Sequence, residues 1–543
     1  MSADLHFMTI AEMAAAIEAK DLSPVELTEA LLRRIEALNP QLNAFLLVTG
    51  DHALSAAKSA ETEIAAGRYR GPMHGIPFGL KDIYDTKGIR TTGHSKTRAD
   101  RVPDEDATTT ARLHAAGAVL MGKLSTHEFA HGGPSFDLPW PPARNPWKTD
   151  CFTGGSSSGS GAAVAAGLLP AALGSDTGGS VRTPSGLCGI AGLKPTYGLV
   201  SRFGVLPNSF TFDHAGPMTW SVEDCALLLQ VLAGHDAKDP ASANEPIPDY
   251  RASLDGDIRG LRIGVVRHFW EEDLPANDAL SAAMENAIAV FRDLGAAVED
   301  VRLEPMQVYA DVKLVIAESE LFSIHAPTLR ERPGDFGFDF RGRVLPACLF
   351  TAEDYVQAQK ARRRLVAAMA PVYDRFDVLI TPSTYGPAPR LDDHSTVSFW
   401  KPKGKITTVF NVTGGPALAQ CIGYSDEGLP LAMQVVGRPF DDATVLKAGH
   451  AYEKATPWRT RRPELEAGAD PLPVDAPPMT TDISGIDGET QNRVDQALAN
   501  AGLDLPEPIY HQVLEAAPLA LDMARRIPRD HSFRDEPGNI WRF

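Results

Sequence analysis

Residues 154–161 read Gly-Gly-Ser-Ser-Ser-Gly-Ser-Gly, and a run of small residues from Ala162 to Gly167 follows at once. A serine-glycine run is often a flexible linker. Here the following small residues predict a helix, so the glycines stand at a junction between a loop and a helix. Such a junction presents backbone N–H groups and small hydroxyl groups, which can bind an anion or a developing oxyanion. We therefore predict a catalytic loop at this position.

Two segments match known motifs but lack the sequence context that those motifs require. Residues 155–159 match the G-x-S-x-G nucleophile elbow, but that motif requires an apolar strand before it, and residues 145–153 (Asn-Pro-Trp-Lys-Thr-Asp-Cys-Phe-Thr) do not form one. Residues 117–123 nearly match a phosphate-binding loop. There, Leu124 replaces the Ser or Thr that would hold magnesium, and the intervening residues are those of an apolar strand. We exclude both interpretations.

A second glycine-serine segment, residues 174–182, reads Gly-Ser-Asp-Thr-Gly-Gly-Ser-Val-Arg and follows the apolar run 168–173. Two glycines before Ser180 allow a tight turn in which successive N–H groups point to one place. Such amides could stabilise an oxyanion that develops beside Ser180. Taken alone, this segment is equally compatible with an ordinary turn that has no catalytic role.

A lysine at the end of a predicted strand is the third candidate, in Gly-Ile-Pro-Phe-Gly-Leu-Lys-Asp at residues 75–82. A lysine in such a place usually extends its ammonium group to solvent. If Lys81 is instead buried, desolvation lowers its pKa, and the neutral amine can act as a base.

The composition of the 543-residue chain is that of an ordinary globular protein, with 43% hydrophobic and 22% charged residues. A formal net charge of −18 argues against nucleic-acid binding, which needs a basic surface. The five cysteines are far apart, and the histidines, including His127 and His131, lack a spacing typical of metal ligands. We therefore predict neither a metal nor another cofactor.

Targeting signals are not apparent in the sequence. The N-terminus has no basic segment followed by an apolar one, and no apolar run reaches the ~18 residues of a transmembrane helix. The sequence thus predicts a cytoplasmic protein without membrane association.

Hydrophobic periodicity divides the chain into regions. Helical spacing covers about 8–67, where Ser23 and Pro24 are typical of a helix start. Strand and helix signals alternate from 71 to 240, which favours an α/β sheet covered by helices. Further strands are predicted at 260–266 and 377–382, and further helices at about 280–291 and 353–374. Residues 456–480 have the composition of a linker, and two short helices are predicted at 489–500 and 508–526.

Together, the three candidate segments resemble the amidase signature family. Its pattern is G-I-P-x-x-x-K-D, then G-G-S-S-x-G-S, then D-x-G-G-S-x-R, which this chain matches at Gly75–Asp82, Gly154–Ser160 and Asp176–Arg182. The two serines, Ser156 and Ser180, are separated by 24 positions, as in the family. The resemblance covers about residues 8–456 and implies the family fold, a large mixed twisted sheet with helices on both faces.

The resemblance also implies roles for individual residues. Ser180 would be the nucleophile, Lys81 the neutral base, and Ser156, which follows a cis peptide in the family, the proton relay between them. The amides of Thr177, Gly178, Gly179 and Ser180 would form the oxyanion hole. Asp176 and Arg182 would brace this turn, and Ser157 would help to hold Lys81.

The expected activity is hydrolysis of a C–N amide bond in a small molecule, without a cofactor or metal, and with side activity on esters. Aromatic residues in loop-like stretches favour an apolar or aryl amide, an anilide or a carbamate; they are Phe136, Trp140, Phe210, Phe212, Trp220, Phe399 and Trp400.

The alternative is the glutaminase (A) subunit of a tRNA-dependent amidotransferase. That branch of the family usually has an acidic residue about eight positions before the asparagine of N-x-x-G-x-P, where it receives the amine of glutamine. In this chain the asparagine is Asn411, and the preceding segment, residues 399–405, is basic and aromatic. Together with the net charge, this argues against the alternative and against a nucleic-acid partner.

We therefore expect a catalytic domain at 1–456, a linker at 457–480 and a small helical C-terminal extension at 481–543. The extension would cap the catalytic domain or form a homodimer contact.

Overall fold

The computed structural model of the protein describes residues 5–393, 395–531 and 535–537. Within these residues eleven strands belong to one sheet: β1 (Phe45–Val48), β2 (Pro77–Lys81), β3 (Val119–Leu124), β4 (Ala171–Ser175), β5 (Ala191–Lys194), β6 (Ala215–Thr219), β7 (Arg262–Val265), β8 (Ala297–Asp300), β9 (Val378–Pro382), β10 (Ala417–Tyr424) and β11 (Pro430–Gly437). Their order across the sheet is β1-β3-β2-β4-β6-β5-β10-β11-β9-β7-β8.

The α-helices of the described residues are α1 (Ile10–Glu18), α2 (Pro24–Leu42), α3 (Gly50–Ala65), α4 (Thr108–Ala115), α5 (Ser158–Ala165), α6 (Arg182–Cys188), α7 (Val222–Leu232), α8 (Asp278–Asp293), α9 (Met306–Glu331), α10 (Phe338–Val344), α11 (Ala352–Ala367), α12 (Ala370–Arg375), α13 (Val409–Thr413), α14 (Asp442–Ala455), α15 (Gly488–Ala501) and α16 (Glu507–Arg526). As predicted, Ser23 caps α2, and its hydroxyl accepts hydrogen bonds from the amides of Val25 and Glu26. None of the described helices is both long and apolar enough to cross a bilayer.

The sheet is mixed, which confirms the predicted α/β class. Strand β2 pairs in parallel with β3 and β4, and β7 with β8 and β9, whereas the strands between these groups pair antiparallel. Every residue of β2, β3, β4 and β11 is buried. Because successive side chains of a strand point to opposite faces, complete burial means that both faces of the central sheet are covered.

Two parallel strands position the candidate site. Since Leu80 of β2 lies opposite Leu173 of β4, these strands end side by side and bring Lys81 close to Ser175. The glycine-rich loop 154–157 leads into α5, all of whose residues are buried. Its small residues permit this close packing: a Cβ atom at Gly159 would collide with the carbonyl oxygen of Ala44.

The N-terminal region contains one strand that the helical periodicity did not predict. Strand β1 lies between α2 and α3 and pairs antiparallel with β3. Its four residues, Phe-Leu-Leu-Val, are too few for a period of two to be distinguished from a helical pattern.

The C-terminal helices α15 and α16 pack against each other, and α16 also contacts α9 and α10. The Gln512 side chain donates to the carbonyl of Phe338 and accepts from Arg341. The Arg526 guanidinium donates two hydrogen bonds of 2.8 Å to Asp311 of α9. Thus α16 contacts the helices that border the candidate site. The division into domain, linker and extension stays a prediction, and residues 532–534 and 538–543 of the predicted extension lie outside the described residues.

We expect Arg526→Ala to lower the free energy of unfolding by about 1–3 kcal/mol, because it removes the bidentate partner of a buried carboxylate. Asp311 is 3% exposed. Chemical denaturation of wild type and variant measures the difference. Arg525→Ala is the matched control, since Arg525 is the preceding arginine of the same helix and is exposed; an equal effect of both changes would contradict the role of the Arg526–Asp311 pair.

Candidate active site

Lys81 is fully buried at the end of β2. Its side-chain nitrogen lies 2.7 Å from Oγ of Ser156 and 2.9 Å from Oγ of Ser175. Burial lowers the pKa of Lys81 to about 7, against the opposing effect of the Asp176 and Asp213 carboxylates. A substantial fraction of the side chain is therefore the neutral amine at neutral pH, which can accept a proton from a neighbouring hydroxyl group.

Two other buried lysines show what is unusual about Lys81. Lys123 donates to the Tyr84 carbonyl and to Thr91, and its nitrogen lies 3.5 Å from Asp82. Burial and the charge of Arg182 lower the pKa of Lys194 to about 7 as well, but its nitrogen donates to two backbone carbonyls. Carbonyl and carboxylate oxygens can only accept hydrogen bonds, so the Thr91 hydroxyl is the one partner of these two lysines that can also donate among the described contacts, whereas both partners of Lys81 are hydroxyls that can do so. Such partners allow Lys81 to exchange a proton with its surroundings.

Ser175 is a site residue that the sequence analysis missed. Its hydroxyl contacts Lys81, whereas the Ser157 hydroxyl is hydrogen-bonded to the backbone of Ser175, accepting from its N–H at 3.2 Å and donating to its carbonyl at 3.3 Å. Among the described hydrogen bonds, Ser157 therefore reaches Lys81 only through Ser175. Its position directly before Asp176 could have indicated it from the sequence, because the parallel strands β2 and β4 end side by side.

Ser156 follows a cis peptide bond at Gly155–Ser156. The Ser156 carbonyl accepts a hydrogen bond from the His127 amide, and the His127 ring occupies the space where a Cβ atom at Gly155 would lie. Ser156 itself is 3% exposed. The backbone that carries the Ser156 hydroxyl is thus fixed by both the amide and the ring of His127.

The turn from Asp176 to Arg182 is built around a buried ion pair. Asp176 accepts hydrogen bonds from the amides of Gly179 and Val181 and from the Arg182 guanidinium. Burial raises the pKa of Asp176, but the charge and hydrogen bonds of Arg182 and a hydrogen bond from Asn411 outweigh it and hold the pKa below its ordinary value. The ionised carboxylate therefore organises the N–H groups of the turn.

Glycine is required at position 179. Its φ angle is +124°, which side-chain-bearing residues rarely adopt, and a Cβ atom there would collide with the Thr407 hydroxyl. Thr407 in turn donates a 2.8 Å hydrogen bond to the Gly178 carbonyl. The Gly179 N–H already donates to Asp176, so within this turn the amides of Thr177, Gly178 and Ser180 are the ones without a partner among the described hydrogen bonds and available to an oxyanion.

A cleft with a volume of about 730 Å³ opens over this turn. Thr177, Gly178, Gly179 and Ser180, the four residues predicted for the oxyanion hole and nucleophile, all line it. Ser180 is half-buried, whereas Lys81 and Ser156 lie beneath the cleft surface and are almost fully buried. This arrangement suits a nucleophile, at Ser180, that contacts the substrate and a base, at Lys81, that does not contact it.

The aromatic residues chosen from the sequence do not, with one exception, border this cleft. Phe399 lines it, together with Phe152, which was not predicted. Phe212, Trp220 and Trp400 are buried in the core. The loop-like sequence around these residues concealed their packing, so an apolar or aryl substrate has little support from them.

The histidines of the cleft are structural or line its wall. Nδ1 of His127 lies 2.7 Å from the Gly132 carbonyl, and Nε2 of His131 lies 3.1 Å from Glu318. Within the described residues, no group of three or more His, Cys, Asp or Glu side chains is arranged to hold a metal ion.

Residues 26–446 match the model of the family described as Amidase. A relative from Chloroflexus aggregans, named as the A subunit of glutamyl-tRNA(Gln) amidotransferase, is 40% identical over an alignment of 489 residues that covers 85% of this chain and 99% of that relative. The structure of the same subunit from Thermotoga maritima is 30% identical with a TM-score of 0.74, and the match covers 86% of this chain and 100% of that one. The peptide amidase of Stenotrophomonas maltophilia is 32% identical with a TM-score of 0.74, over 84% of this chain and 98% of that one.

These relatives correct the prediction about partners. We predicted no nucleic-acid partner and no protein partner beyond a homodimer, but a 40% identical relative is by name one component of an enzyme that acts with tRNA. The exclusion was wrong because net charge is a sum over the whole chain. It does not describe a local surface or the surface of an assembly.

The family match extends over more than three quarters of the chain, and the similarity to relatives and solved structures extends over most of their length. The buried lysine and the two glycine-serine segments all lie within the matched region. The chain therefore belongs to the amidase signature family, whose members act on carbon–nitrogen bonds.

Proposed function

We propose that the chain hydrolyses a carboxamide through an acyl-enzyme on Ser180, with Ser156 as the proton relay and Lys81 as the base. The observation that carries the proposal is the 2.7 Å contact between Nζ of Lys81 and Oγ of Ser156 beneath a cleft lined by Ser180. A pKa of about 7 for Lys81 supports it, because a base is most effective when its pKa lies near the working pH.

The reaction follows from this arrangement. Neutral Lys81 takes a proton from Ser156 as Ser156 takes one from Ser180, and Oγ of Ser180 forms a bond to the carbonyl carbon. The amides of Thr177, Gly178 and Ser180 stabilise the oxyanion, while the Gly179 amide stays bonded to Asp176. The C–N bond then breaks, and the proton returns from Lys81 through Ser156 to the departing nitrogen. Water repeats the sequence on the ester, releasing the acid and freeing Ser180.

Four further residues have positioning roles in this proposal. Asp176 and Arg182 hold the oxyanion turn, as the buried ion pair and its hydrogen bonds support. Ser157 acts on Lys81 indirectly, because its hydroxyl fixes the backbone of Ser175. Ser175 then orients the lysine amine toward Ser156.

The amide-hydrolysing component of an amidotransferase is the setting that the relatives favour. The 40% identity to the A subunit of glutamyl-tRNA(Gln) amidotransferase extends over 99% of that relative, and the aromatic residues that favoured an aryl amidase mostly lie away from the cleft. In this role the chain would release ammonia from a donor amide for use by the assembled enzyme.

Lys81→Ala is expected to reduce kcat/KM about 10²- to 10⁴-fold for an amide and less for an activated ester with the same acyl group. An amine must be protonated as it leaves, whereas a nitrophenolate does not. The variant thus loses two proton transfers with the amide and one with the ester. Steady-state kinetics with both substrates measure this.

Ser180→Ala is the control for that comparison, since it removes both activities and labelling by a fluorophosphonate. Equal losses on amide and ester in Lys81→Ala would remove the lysine from proton transfer to the leaving group. Persistent labelling of Ser180→Ala would locate the nucleophile elsewhere.

We expect kcat/KM for amides to rise with pH through about 7 and to level off above it. The base must be unprotonated, and Lys81 loses its proton above its lowered pKa of about 7. A pH–rate profile from about 5 to 9 measures the transition. A rise centred near ~10, the range of an ordinary lysine, would contradict a buried neutral base.

The amidotransferase role predicts glutamine-dependent conversion of Glu-tRNA(Gln) to Gln-tRNA(Gln). The protein purified from its own cells, with the proteins that accompany it, should catalyse this conversion, and the Ser180→Ala form should do so only with added ammonia. Conversion at the same rate by wild type and Ser180→Ala with glutamine alone would contradict the role.

A further inference from the structure

The cleft over Ser180 has a positively charged lining. Lys313, Arg343, Lys403 and Lys405 line it, and none of its described lining residues is Asp or Glu. The chain as a whole has a formal net charge of −18, so this lining does not follow from overall composition. A concentration of one charge in a cleft attracts ligands of the opposite charge.

Lys313 brings one of these charges next to the oxyanion turn. A Cβ atom at Gly178 would lie 3.5 Å from Cε and 3.8 Å from Nζ of Lys313. The Lys313 nitrogen lies 3.7 Å from Oε1 of Glu318, and His131 lies on the other oxygen of that carboxylate at 3.1 Å. Glu318 is fully buried and holds the lysine from behind the cleft wall.

Lys405 lies in the same cleft, on the loop before α13. Its side-chain nitrogen lies 4.5 Å from the centre of the Phe399 ring, and no carboxylate among the described residues forms an ion pair with it. The Arg343 guanidinium lies 4.6 Å from the same ring and is paired with Asp339. Burial and the positive charges of Arg343 and Lys313 lower the pKa of Lys405 to about 7.

The charges of this cluster do not balance. Lys313 and Arg343 are paired with two carboxylates, Glu318 and Asp339, whereas no described ion pair involves Lys403 or Lys405. Positive charge therefore exceeds negative charge beside the oxyanion turn, where the acyl group of a substrate would lie. A carboxylate of the substrate would balance it and relieve the repulsion between the cations.

Resting on the proposed acyl-enzyme chemistry at Ser180, we propose that the substrate is a small amide whose acyl part carries a carboxylate, held by Lys313 and Lys405 beside Gly178. The same lining disfavours a substrate ammonium group, because no acidic side chain of the described lining can receive it. The substrate class is then a dicarboxylic acid monoamide without an amino group, and glutamine fits less well than its deamino analogue, glutaramate. This inference rests on the Ser180 chemistry alone and competes with the glutamine-dependent amidotransferase role.

The test compares kcat/KM for glutaramate, glutamine and the uncharged isostere pentanamide. Wild type should prefer glutaramate over both by about 10- to 100-fold, the range of one charge-assisted contact. Lys405→Met and Lys313→Met should lose activity on glutaramate about 10- to 100-fold more than on pentanamide, and Lys405→Arg, which keeps the charge, should retain most of the preference.

Lys401→Met is the matched control, because Lys401 is an exposed lysine of the same segment and does not line the cleft; it should retain the wild-type preference. As a readout independent of turnover, glutarate should protect Ser180 from fluorophosphonate labelling in wild type and at least ~10-fold less well in Lys405→Met.

Equal kcat/KM for pentanamide and glutaramate would overturn the inference while leaving the Ser180 chemistry intact. Glutamine hydrolysed better than glutaramate would overturn it as well, and would support the amidotransferase role. If wild type hydrolysed none of the amides and Ser180 were not labelled, the proposed function itself would fail, and this inference with it.

Discussion

A lysine side chain is buried at the end of a central strand, where its described hydrogen-bond partners are two serine hydroxyls and no carboxylate. Loss of solvation destabilises the charged form of Lys81, and hydroxyl groups do not fully replace water. Holding a lysine neutral near pH 7 requires the fold to supply several kcal/mol, at ~1.4 kcal/mol for each pKa unit. The parallel pairing of β2 with β4 makes this possible, since it brings Lys81 and Ser175 to the same edge of the sheet.

The turn that follows β4 uses the opposite electrostatic arrangement. Asp176 and Arg182 are both fully buried but are paired, and each has further hydrogen bonds. A buried pair of this kind is costly to break, because the remaining charge would lack a partner. The pair therefore keeps one geometry for the amides around Gly179. The site thus contains two different electrostatic arrangements. Among the described residues, Lys81 has no carboxylate partner, which suits proton transfer, whereas the Asp176–Arg182 ion pair is fully hydrogen-bonded, which keeps the turn rigid.

The local part of this site could be predicted from the sequence, because each of its three segments combines residues that are close in the chain. Gly179, Ser180 and Lys81 were predicted in this way; the structure brings them to one cleft or directly beneath it, and their roles stay predictions. The residues that reach the cleft from far along the chain could not be identified. Lys313 lies within an apolar helical run, and its approach to Gly178 depends on how α9 packs against the turn. The prediction from the aromatic residues failed for the same reason, since loop-like sequence does not tell which rings enter the core.

Titration of Lys81 itself decides whether burial lowers its pKa to about 7, so that a substantial fraction is neutral at neutral pH. In protein labelled with ¹³C at lysine Cε, the resonance missing from Lys81→Met belongs to Lys81, and its chemical shift can be followed against pH. We expect a midpoint near 7, because burial lowers the pKa of Lys81 to about 7. A midpoint near ~10, the value of a solvated lysine, would contradict it, because Lys81 would then be an ammonium ion that cannot accept a proton.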